Sequence, residues 1–210
     1  RQELVLLALL KLATSDPDDA ARQLDSKWSV HLSPEERNWA WGVIGKAAAQ
    51  KLSSDAMGHF GNITKDGDLN DDLLGWKVRA ALRAGQWKAV AKAVDAMGPE
   101  GRQDSTWVYW KARALLAGKP SDADRAEARQ LFESIAGTRG FYEQLALEEL
   151  GQRISAPPAP APLTAEEKAA ARANPGLNRA LYAILLGLRS EGVREWNYTT
   201  NLHQSGGMPD

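Results

Sequence analysis

Three histidines, eight tryptophans, one Glu-Ser pair and one acidic run are the places in this chain where chemistry could be built. His31, His59 and His203 have no companion at metal-ligand or proton-relay spacing, so each reads as a surface or loop histidine. Cysteine is absent, which excludes disulfides, thiolate zinc sites and a cysteine nucleophile together. No Gly-rich phosphate loop and no Gly-x-Ser-x-Gly elbow occurs. The run Asp66-Gly67-Asp68-Leu69-Asn70-Asp71-Asp72 superficially suggests calcium, but the spacing to a bidentate glutamate is wrong. Capping of a helix start, with the remaining carboxylates solvated, is the cheaper reading.

The tryptophans are Trp28, Trp39, Trp41, Trp76, Trp87, Trp107, Trp110 and Trp196. An indole face can stack on a sugar ring, so a glycan-binding groove is one reading. Packing between helices, with the N–H finding a partner, is the other. The even recurrence of Trp41, Trp76 and Trp110 favours packing. Trp28 and Trp87 fall near predicted turns or helix starts and are the less constrained.

The elements that must position these residues are helices. Ala and Leu are plentiful while Ile, Val and Thr are sparse, and no segment alternates with period two. Start signals recur: Asp16-Pro17, a capping box in Ser33-Pro34-Glu35-Glu36, Asn70, Ser121 with Asp124, and a second box in Thr164-Ala165-Glu166-Glu167. Gly85, Gly98, Gly118 and Gly151 are expected at left-handed C-cap positions.

The segment from Trp76 to Gly85 is echoed by that from Trp110 to Gly118, with the two tryptophans 34 positions apart. Looser echoes start at Trp41 and at Asn178. That period is one helix-turn-helix unit of an α-solenoid, although the tetratricopeptide pattern itself is not met. The expected fold is therefore all-α: an irregular helical-hairpin superhelix, with a proline-rich break before a smaller helical piece. Residues 1–155 form the superhelix and 156–162 the Pro-rich linker, where four prolines forbid helix. Residues 163–210 begin a second helical segment.

Formal net charge is -1 and basic residues are dispersed, which argues against a nucleic-acid partner. The apolar N-terminal run carries Glu3 and is broken by Lys11, so it reads as a core helix and neither a signal peptide nor a membrane span. Residues 205–210 read as a loop, and both ends of the chain look like cuts.

Several stretches resemble the soluble lytic transglycosylases of Gram-negative bacteria, in the long helical region before their catalytic domain. They are Trp39-Ala40-Trp41-Gly42-Val43-Ile44-Gly45, Trp76-Lys77-Val78-Arg79-Ala80-Ala81-Leu82-Arg83 with Gly85-Gln86-Trp87, Trp107-x-Tyr109-Trp110-Lys111-Ala112-Arg113, Arg139-Gly140-Phe141-Tyr142 and Arg194-Glu195-Trp196-Asn197. Their order, with the proline-rich break, is more specific than any one of them. The resemblance implies a periplasmic parent enzyme that cleaves the β-1,4 bond between N-acetylmuramic acid and N-acetylglucosamine, leaving a 1,6-anhydro end. It implies peptidoglycan glycan strands as partner, with cell-wall proteins as further partners, and no cofactor. The family's Glu-Ser motif is followed by a Gly-Leu-Met-Gln segment. Here Glu133-Ser134 is followed by Ile135-Ala136-Gly137-Thr138 and no such segment, so Glu133 reads as a decoy. No catalytic, cofactor or metal residue is assigned. The expected role is a non-catalytic superhelix that positions or encloses glycan, and the alternative is a protein-interaction scaffold.

Overall fold

A computed structural model of the chain describes residues 2–153, 159 and 161–204, the side chains of 2, 203 and 204 excepted. Among these residues there are thirteen α-helices and no strand, as the sequence predicts. The chain divides into two compact units, Arg1–Ala156 and Pro157–Asp210.

In the first unit the α-helices are α1 (Gln2–Ser15), α2 (Pro17–Gln23), α3 (Pro34–Gln50), α4 (Ala56–Gly61), α5 (Asp71–Arg83), α6 (Trp87–Asp95), α7 (Pro99–Gln103), α8 (Ser105–Leu116), α9 (Asp122–Ile135) and α10 (Phe141–Glu149). The start signals lie where expected. Asp16 caps α2 with Pro17 at its first position, the Ser33–Glu36 and Ser121–Asp124 boxes open α3 and α9, and Asn70 accepts from the Leu73 N–H at the head of α5. Gly85, Gly118 and Gly151 take positive φ after α5, α8 and α10. Gly98 does not. Its φ is -64° and it caps the N-terminus of α7, donating its N–H to Asp71 Oδ1 at 2.8 Å, because Pro99 starts a helix immediately behind it.

Packing follows chain order, which is how a helical solenoid builds its interior. α1, α2, the turn that follows it and α3 bury Leu9, Ala13, Ala20, Leu24 and Ile44. α3 to α6 bury Phe60, Leu74, Val78, Val90 and Val94. α8 to α10 bury Tyr109, Ala112, Phe132 and Ala146. The first helix is a packed one, with Leu9 and Ala13 inside, although Leu4 and Leu7 stay exposed. No helix among the described residues is long and apolar enough to cross a membrane.

The α8–α10 cluster carries an alkaline sensitivity. Tyr109 is buried, its hydroxyl lies 3.3 Å from both Glu149 Oε1 and Arg113 Nη1, and burial pushes its pKa up. Lys111 bridges Asp95 of α6 at 2.7 Å and Glu127 of α9 at 3.1 Å; burial lowers its pKa, but the two carboxylates outweigh burial and raise it. Both folded pKa values are raised, so the stability linked to them is intact below the unfolded values near pH 10 and is lost as pH rises through the folded ones. The melting temperature is expected to fall between pH 9 and pH 11, at about 2–4 °C per kcal/mol lost. Tyr109→Phe should shrink that fall, and an equal fall in the variant would sink the assignment.

In the second unit α11 (Ala165–Ala173), α12 (Pro175–Leu185) and α13 (Arg189–Gln204) follow one another, with the Thr164–Glu167 capping box at the head of α11. α12 and α13 approach closely at Gly192, where a Cβ would stand 2.6 Å from the Ala180 carbonyl oxygen. Leu181, Tyr182, Leu185, Trp196 and Tyr198 are exposed on this pair, and Leu188 on the connection between them. Of the expected 156–162 linker, residues 156–158 and 160 lie outside the described residues, as does the expected loop 205–210.

Candidate functional site

The tryptophans answer both readings offered by the sequence. All seven in the first unit are half-buried, and none is sealed in the core. Trp39, Trp41, Trp76, Trp107 and Trp110 rest against the α3–α6 core, while Trp28 rests against the α1–α3 core. Each keeps part of its surface toward solvent. Trp110 also gives its indole N–H to the Tyr142 hydroxyl at 3.4 Å. Trp87 lines a shallow recess with Gly85, Lys88 and Gly118, and Trp196 is exposed on α13.

Trp76 stands apart by what surrounds it. It walls a groove of about 370 Å³ between the end of α3, α4 and α5, together with Leu52, Ser53, Ser54, Met57, Arg79 and Arg83. The Arg79 guanidinium is held between two indoles, 5.0 Å from the Trp76 ring and 4.9 Å from the Trp107 ring. Such stacking fixes the plane of the guanidinium and leaves its N–H edge free to donate. Gly75 permits the arrangement, since a Cβ there would stand 2.9 Å from Trp107 Cζ2 and 3.2 Å from Arg79 Nη1.

The groove's rim holds a backbone outlier. Leu52 has φ +59°, the one non-glycine residue at positive φ among those described, and its side chain is exposed. It closes α3 in a Schellman arrangement, with Ser53 N–H to the Ala48 carbonyl and Leu52 N–H to the Ala49 carbonyl, both at 3.0 Å. A leucine in the place usually taken by glycine costs stability.

The residues singled out earlier for chemistry do not converge on this groove. Glu133 is exposed on α9 and pairs with Arg129 at 2.9 Å, while the Ser134 hydroxyl donates to the Leu131 carbonyl at 2.7 Å. Nothing encloses Glu133 in the way an acid catalyst requires. His31 is exposed beside Trp28, and the side chain of His203 lies outside the described residues.

His59 departs from expectation. It sits on α4 with its side chain only 13% exposed, stacks on Trp41 at 6.1 Å, and places Nε2 3.2 Å from Asp18 Oδ1 of α2. Its partner is 41 positions away, so no local spacing announces it. The acidic run also departs in part. Asn70 caps and Asp72 stays near solvent, but Asp66 is buried against Lys77, Nζ to Oδ1 at 2.5 Å. Asp68 accepts from Asn38 at 2.7 Å, and that bond holds its carboxyl below the usual range. Among the described residues no cluster of three or more histidine and carboxylate side chains could hold a metal ion.

No protein-family model matches the chain. It is 22% identical over 160 residues to the soluble lytic murein transglycosylases of Salmonella typhimurium and Escherichia coli, alignments that cover 73% and 66% of this chain but 23% and 24% of those proteins. The crystal structure of an inactive mutant of the lytic transglycosylase Slt from Pseudomonas aeruginosa superposes with a TM-score of 0.67 at 26% identity, over 96% of this chain and 32% of that one. The chain thus spans about a quarter of the length of the curated relatives it matches. It is related to the lytic transglycosylases, the family that its ordered motifs resemble.

Proposed function

We propose that this relative of the lytic transglycosylases is the non-catalytic superhelical part of a peptidoglycan-cleaving enzyme, and that it positions or encloses the glycan strand. The observation that carries this reading is the match to Slt: nearly the whole of this all-α chain aligns, yet it accounts for only 32% of that protein. The exposure of Glu133 supports the non-catalytic half, because a single-glutamate mechanism needs an acid in a closed, partly apolar cleft. Half-buried indoles along the first unit support contact with sugar faces. Binding energy at such remote contacts can orient the scissile bond without supplying a catalytic atom. The compartment on this reading is the periplasm.

Co-sedimentation with purified sacculi tests it. The chain should pellet at low salt, retain part of that binding at moderate salt, and release no 1,6-anhydro muropeptides. Release of anhydro ends would overturn the non-catalytic role. A chain left wholly in the supernatant would overturn the glycan contact and favour a second reading, a protein-docking scaffold. That alternative draws on the exposed Tyr182 and Leu185 of α12, Leu188 of the connection, and Trp196 and Tyr198 of α13.

A further inference from the structure

We propose that the groove between α3, α4 and α5 binds a saccharide bearing a carboxylate, with the acid on Arg79 and Arg83 and the sugar against Trp76, Met57 and Leu52. The inference rests on the glycan-positioning reading above and names the chemical group that this one site selects.

Charge comes first. Arg79 and Arg83 stand one turn apart on α5, both are exposed, and both line the groove. Like charges at that spacing repel weakly, and an acid three or four residues away would offset the repulsion. Here those positions hold Gly75, Trp76, Ala80, Leu82, Gln86 and Trp87. No lining residue is acidic, and no ion pair to either arginine occurs among the described residues. The pair therefore brings uncompensated positive charge to the groove, the sign that attracts an anion. The recess beside Trp39 differs, since its Lys46 is already matched by Asp72 at 2.5 Å.

Shape and preorganisation point the same way. A guanidinium stacked near Trp76 and Trp107 has less freedom to lose when a ligand arrives, and its planar edge matches a carboxylate better than a diffuse charge. The remaining wall is mostly apolar, and Trp76 adds an indole to it, which suits the C–H face of a sugar ring. Ser53 and Ser54 add hydroxyls at the edge. Leu52 supplies the second, independent sign. A strained left-handed backbone that holds an exposed leucine on a groove rim trades stability for an apolar contact.

Calorimetric titration of the 210-residue chain with three probes tests the site. The probes are the disaccharide N-acetylglucosaminyl-N-acetylmuramic acid, whose lactyl group carries a carboxylate, neutral chitobiose, and the dipeptide L-alanyl-D-glutamate. The muramic disaccharide should bind at least tenfold more tightly than either of the others. Arg83→Gln, an exposed change that leaves folding intact, should weaken it about tenfold, and Arg79→Gln by as much or more. Leu52→Gly should raise the melting temperature while weakening the disaccharide. Chitobiose or dipeptide binding as tightly as the muramic disaccharide would overturn the proposal, as would unchanged affinity in Arg83→Gln. Glycan strands stripped of stem peptide by an amidase, whose lactyl carboxylates are no longer tied up as amides, separate the two readings: if the unaltered chain binds them and the arginine variants bind equally, this site is wrong while the glycan-positioning role stands.

Discussion

Lys77→Ala is expected to lower the stability of the first unit by about 3–5 kcal/mol, because it strands a buried carboxylate. Asp66 is 5% exposed and Lys77 7% exposed, so neither can turn to water when its partner is lost. Lys77 Nζ lies 2.5 Å from Asp66 Oδ1, and Asp66 Oδ2 has no hydrogen-bond partner, only the Lys92 ammonium at 3.8 Å. That second cation is long, exposed at its end, and a poor substitute for the first. The pair itself is weak ground for net stability, since desolvation of two ions offsets most of their attraction. Removal of one ion leaves the desolvation and cancels the attraction. The double change Asp66→Leu with Lys77→Met should therefore recover most of the loss. Urea midpoints at unchanged slope measure both. A loss below about 1 kcal/mol in Lys77→Ala, the range of a surface pair, would refute the buried-pair argument. The functional stake is local, because this pair pins α5, the helix that presents Trp76, Arg79 and Arg83 to the groove.

What the sequence discloses about this molecule is what lies within one helical turn. The Ser33–Glu36, Ser121–Asp124 and Thr164–Glu167 boxes close on themselves within three residues, so their chemistry is complete in the local text. The Trp76 and Trp110 echoes mark equivalent places on α5 and α8 for the same reason. What escapes is set by residues far away in the chain. His59 finds Asp18, and Asn38 finds Thr64 and Asp68, across distances that no periodicity records. Asp66 looked like one solvated carboxylate among several until Lys77 buried it. Gly98 carried a plausible stop signal, yet Pro99 made it a start. Leu52 could not be foreseen, because the helix it ends offers no glycine. Arg79 and Arg83 pass in the sequence as two of many dispersed basic residues, and only the three-dimensional placement of Trp76, Trp107 and Met57 around them makes a site.

Phe60→Ala is expected to cost about 3–5 kcal/mol, the range for emptying a sealed aromatic position. Phe60 is 0% exposed and is the largest side chain wholly buried in the chain's described part. α4 has only six residues, too few to persist as a helix without tertiary support, and its buried contacts are Ala56 and Phe60. The ring's seat is Gly45 of α3: a Cβ at that position would stand 2.9 Å from Phe60 Cγ, Cδ1 and Cε1. Gly45→Ala should therefore cost about 1–3 kcal/mol through overpacking, since the ring has nowhere to go. The two changes must not add. With the ring gone the new methyl enters the vacated space, so Gly45→Ala in the Phe60→Ala background should be neutral or partly restoring, a coupling of about 1–3 kcal/mol in a double-mutant cycle. Additive losses would show that glycine 45 and the ring do not share one volume. The consequence reaches the groove through Met57, which rides on α4 one turn before Phe60 and forms part of the wall beside Trp76. Loss of the ring should therefore raise amide exchange along α4 and weaken ligand binding without altering Arg79 or Arg83. The short helix exists because one phenyl ring fits one glycine, and the wall of the groove exists because the short helix does.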